Sequence, residues 1–304
     1  MLPEWSNSRW VGVARRQFRN WPSAVAQMLA STETHRAGIR ILRALVRLGG
    51  WPHPLEVRLR RGGALRTSDA QHLAGLLEAG WRVSLEEGLF LLTGPGEVRL
   101  LVRPIDRESR DLCSLYETFV RGDYGERFPD WNVLDIGGGN GDSALCFASR
   151  GARRVIAVEP DPRSVAMLRR NLALNPTRDR IEVVEAAATP DGASVDFSIG
   201  SPYSAALGTG PDAGASRHVP VPGVAIGQLL DRFERVDLLK VDIEGAEYDL
   251  LRAVSPERWT RIRSVRLEFH RGLQDLPTLL EAQGFRVVAS VGPPQGLLFA
   301  ERVS

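Results

Sequence analysis

Two stretches of this sequence gather residue types that can bind and react. The first, Asp135-Ile136-Gly137-Gly138-Gly139-Asn140-Gly141, joins the apolar run Val133 to Ile136 to a helix that should start near Asp142. Glycines at such a turn let backbone approach a ligand closely. A dinucleotide fingerprint counted from Gly137 would need its last glycine at position 142, where Asp142 instead sets a carboxylate against an incoming pyrophosphate, so a nicotinamide oxidoreductase is disfavoured. Asp135, at the carboxyl end of its strand, suits an amino-acid ammonium, directly or through water. Glu159 closes the next apolar strand 24 residues later, where a carboxylate can accept hydrogen bonds from both hydroxyls of a ribose. S-adenosylmethionine carries both groups, and on this reading Gly137, Gly138, Gly139, Asn140 and Pro160 complete its contacts.

The second stretch, Asp237 to Glu247, runs from a buried strand into a helix at the edge where open α/β sheets keep their ligand crevices. Alternation puts Lys240, Asp242 and Glu244 on one side, either as an ion-pair set or as groups that act on a substrate. Lys240 is the only lysine among 39 basic residues, which singles it out. Glu247 falls in the first helical turn, where a carboxylate favours the helix dipole, and is read as a cap. Further on, Arg266-Leu267-Glu268-Phe269-His270 ends another strand with Glu268 and His270 on one side. An imidazole there is well matched to removing a proton near neutral pH. Clustered oxygen ligands could hold a divalent metal, but pairing with Lys240 accounts for the same acids, and no metal is assigned.

The elements that must position these groups follow from periodicity. From Asn132 onward the pattern is strand, glycine turn, helix, strand, the mark of a parallel sheet covered by helices. Core strands are expected at Val133 to Ile136, Val155 to Val158, Ile181 to Val184, Val236 to Val241 and Val265 to Phe269, and a closing hairpin from Phe285 to Ala300 reverses the last strand. Asp161 and Pro162 open the helix that buries Val165, Leu168 and Leu172. Short strands at Val195 to Ile199 and Val219 to Val221 flank a long loop from Gly200 to Arg217, of a length that marks functional segments. The fold class is therefore α/β, Rossmann-like, with residues 106–304 as the cofactor-binding domain and residues 1–105 as a small α+β extension. That extension should hold a helix from Ser31 to Leu48 with Arg36, Arg40, Arg43 and Arg47 on one face. Short strands at Leu55 to Leu59, Trp81 to Leu85, Leu89 to Leu92 and Val98 to Val102 follow, with a helix from Asp69 to Glu78 between the first two. A further helix near Glu108 to Val120 leads into the main domain.

The segments VLDIGGGNGDSALCFA, VIAVEPDP, VDLLKVDIEGAEYDLL and LEFH, in that order, resemble the FkbM family of methyltransferases over roughly residues 115 to 300. The resemblance implies a class I methyltransferase sheet and S-adenosylmethionine as cofactor. By position it implies cofactor residues Asp135, Gly137 and Glu159 and crevice residues Asp242, Glu244, Glu268 and His270. The usual Gly-Ala-Asn-Ile-Gly loop is here Gly137 to Gly141 with the asparagine shifted by one place. Family members methylate hydroxyls of sugars, polyketides and related products, so the expected reaction is O-methylation of a small or carrier-held acceptor. The alternatives are an N-methyltransferase of the same fold and a non-catalytic cofactor-binding partner in a biosynthetic complex.

Composition narrows the field further. No apolar run approaches a membrane span and the first residues lack a signal-peptide core, so a cytoplasmic protein without membrane attachment is expected. Cys113 and Cys146 are too few for a disulfide framework or a zinc site. Net charge is +2, but residues 1–104 hold 15 Arg against 8 acids, leaving the rest acidic. That asymmetry suits an anionic acceptor or partner better than nucleic acid, and the fourth core strand lacks the Asn/Asp-Pro-Pro-aromatic clamp of base methylation.

Overall fold

The computed structural model describes residues 39–41, 55–59, 64–67, 69–103, 110–199, 217–289 and 295–303. Its centre is a seven-stranded sheet of β1 (Asn132–Ile136), β2 (Arg154–Glu159), β3 (Ile181–Glu185), β4 (Leu238–Val241), β5 (Ser264–Phe269), β6 (Phe285–Ala289) and β7 (Gly296–Arg302). Their spatial order is 6-7-5-4-1-2-3, with β7 antiparallel to both neighbours and the rest parallel. This is the Rossmann-like arrangement with a reversed last strand. β1 and β4 are buried at every position, as parallel strands covered on both faces must be.

Side chains alternate between the two faces. Val133, Val155 and Leu238 join one apolar cluster, and Leu134, Ile156 and Leu239 join the other. The first cluster also takes in Leu73, Phe90 and Leu100, so the described part of the extension shares a core with the sheet rather than standing apart.

The extension contributes α1 (Ala70–Glu78) and an antiparallel sheet of strands Arg82–Glu86, Leu89–Thr93 and Arg99–Val102. Its docking is polar as well as apolar. α2 is Asp111–Tyr116, α3 Asp142–Ser149 and α4 Pro162–Ala173. From α4, fully buried Asn171 accepts from the Leu101 N–H at 2.7 Å and donates to the carbonyls of Leu101 at 3.1 Å and Asn140 at 2.9 Å. Asn175 treats Arg99 in the same way, accepting at 2.9 Å and donating at 2.7 Å. Asn171 near the end of α4 and Asn175 just beyond it thus meet alternate residues of the strand, Leu101 and Arg99.

Two expectations for the extension need correction. Residues Ile39–Ile41 form a strand antiparallel to Leu55–Leu59, not part of a helix from Ser31 to Leu48. The β-branched alternation Ile39-Arg40-Ile41, with a partner strand to pair with, outweighs the helical spacing of the arginines. Arg36, Arg43 and Arg47 lie outside the described residues, as does most of the loop from Gly200 to Arg217. Ala64–Thr67 adds a strand that periodicity did not mark. Among the described residues no helix is long and apolar enough to cross a membrane.

Replacing Asn171 with Leu keeps the volume but strands a buried N–H and two carbonyls, each worth about 1–3 kcal/mol when left unpaired. Urea unfolding should show a loss of about 3 kcal/mol. A loss below about 1 kcal/mol would mean that water or relaxation replaces the amide.

Candidate active site

A crevice of about 210 Å³ opens at the carboxyl ends of β1, β2 and β4. Its floor is set by register. Lys240 stands directly beside Asp135 across the β4–β1 pair, on the same face, with Ala157 on the other side of Asp135. The ammonium lies 3.1 Å from Asp135 Oδ1 and 3.9 Å from Asp242 Oδ2, and donates to the Gly137 carbonyl at 2.5 Å. Side-chain exposure is 2% for Lys240 and 0% for Asp135. Burial alone would lower the Lys240 pKa, but the charges of Asp135 and Asp242 outweigh it and hold the value above normal, so the lysine stays charged. Burial raises Asp135, and Lys240 and the Ser143 hydroxyl, which donates at 2.6 Å, oppose it. Of the two acids expected to pair with Lys240, Asp242 lies at 3.9 Å and Glu244 forms no ion pair with it; the nearest carboxylate is that of Asp135. Asp135, read from sequence as the partner of a ligand ammonium, meets Lys240 and Ser143 beneath the loop and does not line the crevice.

The glycine loop bends over this pair. Gly137 has φ +83°, and a Cβ there would meet the Asp242 carbonyl oxygen at 1.8 Å, so the approach of the two strand ends demands glycine. Gly139, with φ +50°, faces the crevice; an added Cβ would meet nothing nearer than Asp142 Oδ1 at 4.0 Å. Gly138 packs on Ala157 instead, and Asn140 is buried and turned toward α3 and α4, accepting from the Asp142 N–H. Neither they nor Pro160 lines the crevice. Glu159 does line it. Its oxygens accept from the N–H groups of Gly139 at 2.8 Å and Asp161 at 2.9 Å, leaving one lone pair on each. Burial pushes its pKa up to about 7 despite those hydrogen bonds.

The opposite wall comes from residues that the sequence reading passed over. Ser114 on α2 and Thr118, one turn on, both donate to Asp142 Oδ2, at 2.7 and 3.0 Å. Burial raises Asp142 to about 6. A π-helical turn, Glu117–Arg121, follows α2 and ends at Gly122, after which Tyr124 donates to Asp242 Oδ2 at 3.3 Å. Phe197 supplies an apolar surface. The i, i+4 spacing of Ser114 and Thr118 was the only cue to this wall, and nothing local ties it to a carboxylate 24 residues away.

At the far edge, Asp242, Glu244, Glu268 and His270 come together as alternation suggests. Glu244 lines the crevice with φ +53°, a conformation that side-chain-bearing residues seldom adopt, next to Gly245 at φ +107°. His270 Nε2 is 3.3 Å from Glu244, 3.8 Å from Glu268 and 4.0 Å from Asp242. Its Nδ1 pairs at 2.5 Å with Glu247, which opens α5 (Glu247–Arg252), is fully buried and also accepts from the Gly245 N–H. Glu247 is thus more than the helix cap read from sequence. Burial alone would lower the His270 pKa, but the hydrogen bond to Glu247 and the charges of Glu244 and Asp242 raise it above normal. These partners favour the charged imidazole, a setting different from the free imidazole expected from sequence. Burial and then the charge of Asp242 push Glu268 and Glu244 up. Lys240 forms no ion pair with either of them, so it does not balance this cluster as expected.

Fold and crevice together define the Rossmann-like architecture of class I methyltransferases. The model of the methyltransferase FkbM domain matches residues 135–287, and the chain belongs to the FkbM methyltransferase family. Among curated proteins it is 47% identical over 57 residues to Methyltransferase 1 of Beauveria bassiana, covering 18% of this chain and 23% of that one. To Methyltransferase sdnD of Sordaria araneosa it is 44% identical over 57 residues, 18% and 22% of the two chains. The alignments thus span less than a quarter of each relative. The FkbM methyltransferase structure from Methylobacillus flagellatus overlaps 61% of this chain and 47% of its own, with 19% identity and a TM-score of 0.42. The METTL16 methyltransferase domain overlaps 92% and 91%, with 14% identity and a TM-score of 0.43. Family membership implies S-adenosylmethionine as methyl donor, and the open space at Gly139 together with the spare lone pairs of Glu159 fits that molecule.

Lys240→Met should cost about 3–5 kcal/mol of stability, because it leaves Asp135 buried without its cation. Pairing it with Asp135→Leu should recover most of that loss in chemical unfolding; a double variant as unstable as the single one would refute the pairing.

Proposed function

We propose that this chain is an S-adenosylmethionine-dependent O-methyltransferase acting on a hydroxyl of a small or carrier-held acceptor. The observation that carries this reading is Glu244, held on the crevice in an unfavoured backbone conformation beside a cluster of proton-binding groups. A hydroxyl must shed its proton to attack well, whereas a neutral amine need not, so a strained carboxylate at the reacting edge suits oxygen.

When bound, S-adenosylmethionine supplies a methyl group on a sulfonium. Glu159 accepts from the ribose hydroxyls, and Phe197 offers apolar surface for the base. Asp142 takes the ammonium in place of Asp135, since it lines the crevice and Ser114 and Thr118 engage only one of its oxygens. The acceptor oxygen forms its bond to the methyl carbon as the carbon–sulfur bond breaks, and its proton passes to Glu244, whose raised pKa makes it a better acceptor than an ordinary carboxylate. Arg110 lines the crevice near Glu244 and Glu268 and suits an anionic group on the acceptor.

The direct test supplies methyl-¹³C-labelled cofactor with a metabolite extract and reads the carbon shift of the labelled product. An O-methyl signal is expected, and N-methyl products alone would overturn the reading. With the acceptor in hand, Glu244→Gln should lower kcat by about 10²- to 10⁴-fold while S-adenosylhomocysteine affinity holds.

Glu159 adds a pH signature. Hydroxyl donors favour its ionised form, so calorimetric S-adenosylhomocysteine affinity should be roughly tenfold weaker near pH 6 than near pH 8, with Glu159→Gln showing no such slope. The same slope in that variant would move the titration to another group.

A further inference from the structure

We propose that Asp242, Glu268 and His270 form a binding site for a single first-row divalent cation at the acceptor edge of the crevice. One ligand atom from each lies within 4.8 Å of the others. They come from the ends of adjacent strands, so the sheet itself sets their spacing.

More than acid clustering supports this. His270 is 6% exposed, and its Nε2 faces the acids, with Glu244 at 3.3 Å, Glu268 at 3.8 Å and Asp242 at 4.0 Å. The opposite nitrogen is tied at 2.5 Å to Glu247, a carboxylate with no exposure that the Gly245 N–H holds in place. A buried carboxylate on the far nitrogen is how ligand histidines are commonly oriented and made more basic. The Tyr248 hydroxyl accepts from the Arg271 N–H at 2.9 Å and donates to the Gly272 carbonyl at 2.7 Å, pinning the segment that carries the imidazole.

Four carboxylates, Asp242, Glu244, Glu247 and Glu268, stand around the one imidazole, while Lys240 is shared between Asp135 at 3.1 Å and Asp242 at 3.9 Å and Arg110 acts on Glu244 and Glu268. Two carboxylates with one imidazole suit manganese, iron or zinc better than magnesium, which prefers oxygen alone. On the O-methyltransferase reading, such an ion adds positive charge beside the hydroxyl that yields its proton to Glu244, which is left outside the ligand set. Glu247 is then a positioning residue.

The test uses the full chain after chelation and desalting, with manganese chloride as probe and the paramagnetic resonance signal of free Mn²⁺ as readout. The signal should fall until one ion is taken up per chain. Glu268→Gln should weaken uptake at least about tenfold, and Glu247→Gln about 10- to 100-fold. Calorimetry on the same preparations should give S-adenosylhomocysteine affinity within about twofold of wild type, showing that the variants fold. An unchanged signal with wild type at millimolar Mn²⁺, or uptake by Glu268→Gln equal to wild type, overturns the site. Wild type that binds Mn²⁺ but not S-adenosylhomocysteine would instead overturn the methyltransferase reading.

Discussion

A charged lysine sealed between two strand ends is the constraint from which the crevice follows. Lys240 and Asp135 face one another across the β4–β1 pair with almost no exposure, and the ammonium also holds the Gly137 carbonyl. In so dry a setting each charge relies on the other, and a pair of this kind is weak as a source of stability but demanding of geometry. The loop can turn over β1 only where its carbonyl meets that ammonium. The strand ends come so close there that no side chain fits at Gly137. Glu159, Asp142 and Asp242 owe their places to that turn.

The sheet was legible from sequence because buried parallel strands leave apolar runs and their turns leave glycines. Every core strand from Asn132 onward lay where the runs lay, and the sidedness of Glu268 and His270 followed from alternation alone. What escaped depended on partners distant in sequence. Asp135 was read as facing a ligand, and its pairing with Lys240, 105 positions later, left no local trace. Glu247 looked like a helix cap because its second partner, His270, lies on another strand. Asn140 and Gly138 sat within a ligand-binding loop, yet a loop has an inner side, and spacing does not say which residues face it. The Ser31 to Leu48 segment misled for the opposite reason: a helical arginine period overlay Ile39–Ile41, which pairs as a strand.

Between the two ends of the crevice the electrostatic character changes. At the Glu159 end, backbone N–H groups meet the carboxylate oxygens. At the Asp242 end, carboxylates crowd around one imidazole already committed to Glu247. The first end is set by backbone donors, while at the second charged side chains face one another.

The amides of Asn171 and Asn175 have a consequence beyond docking. Strand Arg99–Val102 is the border of its small sheet, and the outward N–H groups of Arg99, Leu101 and Arg103 are met by Asn175, Asn171 and Asp111 in turn. Two side-chain amides and a carboxylate thus imitate a neighbouring strand without being one. An unguarded border would offer a template for another chain to add itself, the usual beginning of sheet-mediated aggregation. Here the template is already filled, so this rim of the molecule is closed to strand exchange.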